Sequence, residues 1–249
     1  MKKITLLGAV ALLFGFGSAN AQSFSDDFES YNVGDYIGAN SSNWTTWSGT
    51  TGGAEDAKVV NDKAASGTNS IYFAGSAAGG PQDVVLPFQG AHETGEFVYA
   101  MKMFIESGKT AYFNFQAETA IGTTWALDCN FNGDGTFTLN NGVSGSMGLG
   151  HYNNDAWVNV ELKINLSQNI WQFYVDGTME SEFQNGTNKI ASLDLFPLDA
   201  TGQWWVDDVS YSVTPYTLPT LNAGVSYVGI ENGLVGFARE VTAKVRNLG

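Results

Sequence analysis

The chain has 249 residues, of which 25 are acidic and 11 basic, giving a formal net charge of −14. A balance of that sign argues against nucleic acid and against anionic membrane surfaces as partners, and is compatible with neutral glycans and divalent cations. The lone cysteine, Cys129, leaves no internal disulfide, and the two histidines, His92 and His151, lack the spacing of a zinc site.

Residues 1–21 read as an export signal. Lys2 and Lys3 form a basic head, Ile4 to Phe16 an apolar run too short to span a bilayer, and Ala19-Asn20-Ala21 a small-x-small cleavage site. The expected address is secreted, extracellular or at the cell surface, with periplasmic transit. Cleavage leaves nine basic residues against 25 acidic ones. No later stretch is apolar enough to cross a membrane, so no membrane insertion is expected.

Residues 22–213 carry six lysines, no arginine and 23 acidic residues. Period-two rows predict strands at Phe97–Ile105, at Tyr112–Gln116 with Phe113 and Phe115 inward, and at Trp125–Phe131 with Trp125, Leu127, Cys129 and Phe131 inward. Two more follow at Asn159–Leu166 and Ile170–Val175. Between them lie Asn132-Gly133-Asp134-Gly135, Asn140-Asn141-Gly142 and Asp176-Gly177, dipeptides that supply positive φ at low steric cost. No segment keeps a helical period. The fold class expected is all-β, an antiparallel jelly-roll sandwich.

Near residue 214 the charge balance changes sign. Residues 214–249 hold Arg239, Lys244 and Arg246 against Glu231 and Glu240, and Pro215-Tyr216-Thr217-Leu218-Pro219 reads as a linker over 214–221. Two short strands are expected in 222–249, around Val225–Ile230 and Glu240–Val245. Too short to close a sandwich of its own, this piece suggests the N-terminal part of a longer multidomain protein.

Four motifs carry a family resemblance. Asp26-Asp27-Phe28-Glu29 stands at the start of the β-rich stretch and Trp204-Trp205-Val206-Asp207-Asp208-Val209 at its end. Between them, Trp157-Val158-Asn159-Val160-Glu161-Leu162-Lys163-Ile164 precedes Trp171-Gln172-Phe173-Tyr174-Val175-Asp176-Gly177. Together they resemble the concanavalin A-like lectin/glucanase superfamily, close to its laminin G-like and carbohydrate-binding modules. The ending Val241–Gly249 resembles the early strands of an immunoglobulin-like cell-adhesion module.

The resemblance implies a structural calcium held by carboxylates of the first and last strands, here Asp27, Glu29, Asp207 and Asp208. Ordinary turn and edge acidity explains the same residues without a metal. It also implies glycan binding through aromatic planes beside amides and carboxylates. The outward rows supply Tyr112, Asn114, Gln116, Asp128, Gln172 and Tyr174, expected on one face, and Trp44 and Trp47 are expected in a rim loop. Retaining glucanases of the superfamily carry a Glu-x-Asp-x-x-Glu run, which this chain lacks. The reading is a secreted, non-catalytic module that binds glycan or an extracellular partner. A structural or adhesive spacer, and a polysaccharide hydrolase or lyase, stay open beside it.

Overall fold

The computed structural model describes residues 21–141, 146–215, 223–229 and 242–247. The expected signal sequence through residue 20 and most of the linker lie outside the described residues. The chain divides into two compact units that meet between Pro215 and Tyr216.

The first unit is a sandwich of two antiparallel sheets. Its strands, in chain order, are β1 (Gln22–Asp26), β2 (Thr45–Thr46), β3 (Lys58–Val60), β4 (Ser70–Ala74), β5 (Val84–His92), β6 (Glu96–Ile105), β7 (Ala111–Gln116) and β8 (Trp125–Phe131). They continue as β9 (Thr136–Asn140), β10 (Ser146–His151), β11 (Trp157–Asn165), β12 (Ile170–Val175), β13 (Thr178–Phe183), β14 (Ile190–Leu195) and β15 (Gln203–Thr214). One sheet has eight strands, in the order β13-β12-β11-β6-β15-β4-β3, with β1 also paired to β15. The other has seven, in the order β10-β9-β8-β7-β14-β5-β2. A single helical turn, α1 (Ile37–Asn40), is the one helix among the described residues.

Alternation decides which side chains fill the space between the sheets. In β11, Val158, Val160, Leu162 and Ile164 are buried while Trp157, Asn159, Glu161 and Lys163 are half-buried. In β6, Phe97, Tyr99, Met101, Met103 and Ile105 point inward, and in β12 Trp171, Phe173 and Val175 do. The centre is aromatic: the Phe88 ring lies 4.9 Å from Phe97 and 4.8 Å from Tyr211, and Phe131 stacks on Phe137 at 5.1 Å. Such rings contribute large buried area and favourable edge or offset contacts. Cys129 is part of this core, and burial pushes its thiol up.

One strand is out of phase with the expectation. The register between β7 and β8 shifts between Phe115, which pairs with Leu127, and Gln116, which pairs with Trp125. The extra residue is Ala126, a bulge that turns Trp125 out of the core row. Trp125 is therefore 41% exposed, whereas Leu127, Cys129 and Phe131 remain inside.

In the second unit, β16 (Ala223–Gly229) and β17 (Thr242–Asn247) form an antiparallel pair, with Ala223 opposite Asn247 and Gly229 opposite Thr242. Both lie within a residue or two of the strands expected there.

Candidate functional site

The outer face of the seven-stranded sheet carries a polar row that crosses it from strand to strand. Asn140 on β9 stands opposite Asp128 on β8, Asp128 opposite Asn114 on β7, and Asn114 opposite Asp194 on β14. Beside it runs a second row of Trp125, Gln116, Ser192 and Pro87. Their neighbours along each strand fill the core, so alternation sends these side chains out.

This floor is a hydrogen-bonded network. The Tyr112 hydroxyl donates to Asp128 Oδ1 at 2.5 Å, and Asn114 Nδ2 donates to Asp194 Oδ2 at 2.6 Å. Gln116 Nε2 donates to Asn114 Oδ1, and Gln116 Oε1 accepts the Gly122 backbone N–H at 3.1 Å. Asn114, Gln116, Ser192 and Asp194 are buried although they lie outside the hydrophobic core. Tyr112 and Asp128 are half-buried. Burial pushes the Asp128 carboxyl up, against the hydrogen bond from Tyr112, and burial, followed by the hydrogen bond to Asp128, pushes the Tyr112 hydroxyl up.

Asp83, just before β5, joins Asp194 in a carboxyl pair. The Oδ1 atoms of both are buried with no hydrogen-bond partner, and the two carboxyls stand close enough for each to act on the other. Two buried carboxyls that act on each other favour a single shared proton over two charges. Burial, followed by the Asp194 charge, pushes Asp83 up to about 9, and burial pushes Asp194 up to about 6.

An aromatic wall stands at one side. The rings of Trp47 and Trp125 lie 6.1 Å apart, tilted by 32°. The Trp47 backbone N–H donates to the Asp83 carbonyl at 2.9 Å, which ties the wall to the carboxyl pair. Gly122 passes beneath Trp47 with φ +79°, and a Cβ there would come within 2.8 Å of the ring, so only glycine allows this approach.

The structure divides the residues expected on one face. Tyr112, Asn114, Gln116 and Asp128 share the seven-stranded sheet. Gln172 and Tyr174 lie on β12 of the eight-stranded sheet, whose outer face looks the opposite way. There the Tyr174 hydroxyl donates to Gln172 Oε1 at 3.0 Å, and Lys163 Nζ sits 4.2 Å over the Tyr174 ring. Alternation identifies which side chains point out, not which sheet a strand joins. Asn114 and Gln116 form the floor beneath a surface and do not themselves face solvent. Trp44 is not a rim residue: it is 3% exposed, packs on Phe28 at 6.0 Å, and donates its indole N–H to Asp26 Oδ2 at 3.0 Å. Trp47 does stand beside the polar face. Trp125 was expected in the core, and Asp83, Ser192 and Asp194 carry no sequence motif, although Ser192-Leu193-Asp194-Leu195 shows the polar and apolar alternation of a two-sided strand.

The acidic ends meet as well. β1 pairs with β15, placing Asp26 opposite Val209. Around this junction the carboxylates grip the loop between β3 and β4. Glu29 Oε1 accepts the N–H groups of Thr68 at 2.8 Å and Asn69 at 2.6 Å, and Oε2 accepts the Thr68 hydroxyl at 3.1 Å. Asp207 Oδ2 accepts the Ala65 and Ser66 N–H groups at 2.7 and 3.1 Å, and Oδ1 accepts the Asp208 N–H at 2.7 Å. Asp208 takes the Ser66 hydroxyl at 2.6 Å and Lys102 at 2.9 Å, and Asp27 takes the Glu29 N–H at 3.2 Å. These oxygens face N–H and O–H donors, and among the described residues no three His, Cys, Asp or Glu side chains converge as a metal-holding group. As arranged they do not fit a calcium cage, which needs six or more oxygens turned toward one point.

No protein-family profile matches the chain, and no characterised protein matches it in sequence. Solved structures do. A cellulose-induced protein, Cip1, aligns with TM-score 0.53 at 14% identity, over 79% of this chain and all of its own. A GH16 non-specific endo-β-1,3(4)-glucanase, SCLam, aligns with TM-score 0.51 at 12% identity, over 78% of this chain and 91% of its own. A sialidase aligns with TM-score 0.53 at 16% identity over 77% of this chain, which spans only 18% of that protein. At such identities the likeness shows the fold, a jelly-roll β-sandwich.

Proposed function

We infer that the first unit is a non-catalytic binding module for glycan, seated on the outer face of the seven-stranded sheet. The observation that carries this reading is the pairing of a tryptophan wall, exposed Trp125 beside half-buried Trp47, with a braced floor of amides and carboxyls around Asp128 and Tyr112. An aromatic plane stacks on the apolar face of a pyranose, and adjacent acceptors take its hydroxyl protons. Membership of the jelly-roll fold, shared with proteins whose names include a glucanase and a sialidase, is consistent with it.

The carboxyl arrangement supports binding without turnover. Glycosidases hold two separately working carboxyls about 5 Å apart when retaining and about 6.5–9.5 Å apart when inverting. Asp83 and Asp194 instead act on each other so that one shared proton is favoured, and Asp194 is buried beneath the surface. Export from the cell, and a place at the N-terminal end of a longer multidomain protein, belong to the same proposal and rest on sequence alone.

The test is a glycan array probed with the full chain and with Trp125→Ala. Loss of binding in the variant, with the melting temperature little changed, is the expected result, because Trp125 lies outside the core. Undiminished binding to the same glycans would remove the site from this face.

A further inference from the structure

The same face gathers carboxyl groups without a cation. Asp128 lines it, Asp194 lies buried beneath it beside Asp83, and Glu55 stands close enough to Asp83 for its charge to act on that carboxyl. None of the ion pairs among the described residues involves any of these four. Lys189, just before β14, is held by Glu93 at 2.8 Å and Glu118 at 3.0 Å. No arginine occurs between residues 22 and 213. A second observation is independent of charge: Ser192 is 3% exposed and its Oγ has no hydrogen-bond partner. Asp128 uses Oδ1 for the Tyr112 hydroxyl, and among the described residues no hydrogen bond reaches its Oδ2. Among the described residues, the face has acceptors to spare and lacks positively charged donors.

We propose that this face selects glycans bearing protonated amino sugars, binding glucosamine oligomers more tightly than neutral oligomers of the same length and rejecting uronate polymers. The inference rests on the glycan reading above. An ammonium group supplies three donors and a charge opposite to that of Asp128, whereas a uronate meets like charge with no cation among the described residues to bracket it. Trp125 and Trp47 serve all three sugar types alike, so the charged groups alone set the difference.

The experiment is calorimetric titration of the full chain with glucosamine, glucose and galacturonate oligomers of equal length, in slightly acidic buffer at low and high salt. Glucosamine oligomers should bind about tenfold more tightly than glucose oligomers, equivalent to ~1.4 kcal/mol. The gain should shrink with salt, and galacturonate should show no binding. Asp128→Asn keeps the shape and an acceptor for Tyr112 but removes the charge, and should bring the glucosamine-to-glucose ratio toward one. Galacturonate binding as strong as glucose binding overturns the proposal. So does a glucosamine preference that Asp128→Asn leaves intact, since that would be general attraction to an acidic protein. Equal binding of glucosamine and glucose ends the selectivity and spares the glycan site, whereas silence from every oligomer sinks both.

Discussion

Replacing Asp83 by Asn should flatten the dependence of stability on pH above neutrality. In the folded protein Asp83 is pushed up to about 9 by burial and by the Asp194 charge, from an ordinary value of 3.8. A carboxyl whose folded value lies above its unfolded one keeps a proton that the unfolded chain has already lost. Its contribution is full below the unfolded value and is lost as pH rises through the folded one. Asp194, pushed up to about 6, covers the lower part of that window, so the fall between about pH 6 and 9 belongs to the shared proton. One proton is worth about 1.4 kcal/mol per pH unit, or roughly 4 kcal/mol over three units for a fully buried group. Asp83 is only half-buried, so solvent screening lowers the expected loss to about 2 kcal/mol. The assay is urea unfolding followed by tryptophan fluorescence at a series of pH values. Wild type should lose stability across this range, while Asp83→Asn, whose amide donates to Asp194 Oδ1 at every pH, should stay level. Parallel decline of the two proteins would show that Asp83 and Asp194 share no proton.

Three further outcomes are expected. Trp44→Ala removes a buried ring and the donor to Asp26 Oδ2, and should cost about 3–5 kcal/mol in chemical denaturation while glycan binding per folded molecule stays unchanged. Melts of metal-free protein in EDTA and in millimolar calcium should coincide, because Glu29, Asp207 and Asp208 already bind N–H, hydroxyl and lysine donors; a calcium-dependent rise abolished by Glu29→Gln would show that the acidic ends rearrange around a cation. A chain cut after Pro215 should melt cooperatively on its own, since the first compact unit ends there, and aggregation rescued only by residues 216–249 would refute this.

Much of the sandwich is legible in the sequence where alternation runs unbroken. The inward rows of β6, β11 and β12 stand where the period of two places them, and so do Phe113 and Phe115. Reading failed where one extra residue or one hidden partner intervened. The bulge at Ala126 reversed the facing of Trp125, and bulges leave no periodic mark of their own. Trp44 sits in a polar stretch, and its burial depends on distant partners, the rings of Phe24 and Phe28 and the carboxylate of Asp26, eighteen positions away. Sheet membership is a non-local property, so nothing in the local pattern separates β12 from β7. The carboxyl pair joins residues 83 and 194, a contact invisible to any window of sequence.

β15 lies at the middle of the eight-stranded sheet, paired with β6 on one side and with β4 and β1 on the other, yet it is the last strand of the unit to leave the ribosome. Until residues 203–214 emerge, β1, β4 and β6 each keep an unpaired backbone edge. Folding of this unit therefore cannot advance from the N-terminus inward as synthesis proceeds; it must wait for a closing insertion, and the long sequence separations make that step slow. A nascent chain stalled before this point presents several open edges to its neighbours, the condition under which strands add to one another between molecules. Incomplete copies of this protein should therefore be selectively lost to aggregation or proteolysis, even when they lack only a dozen residues of the sandwich.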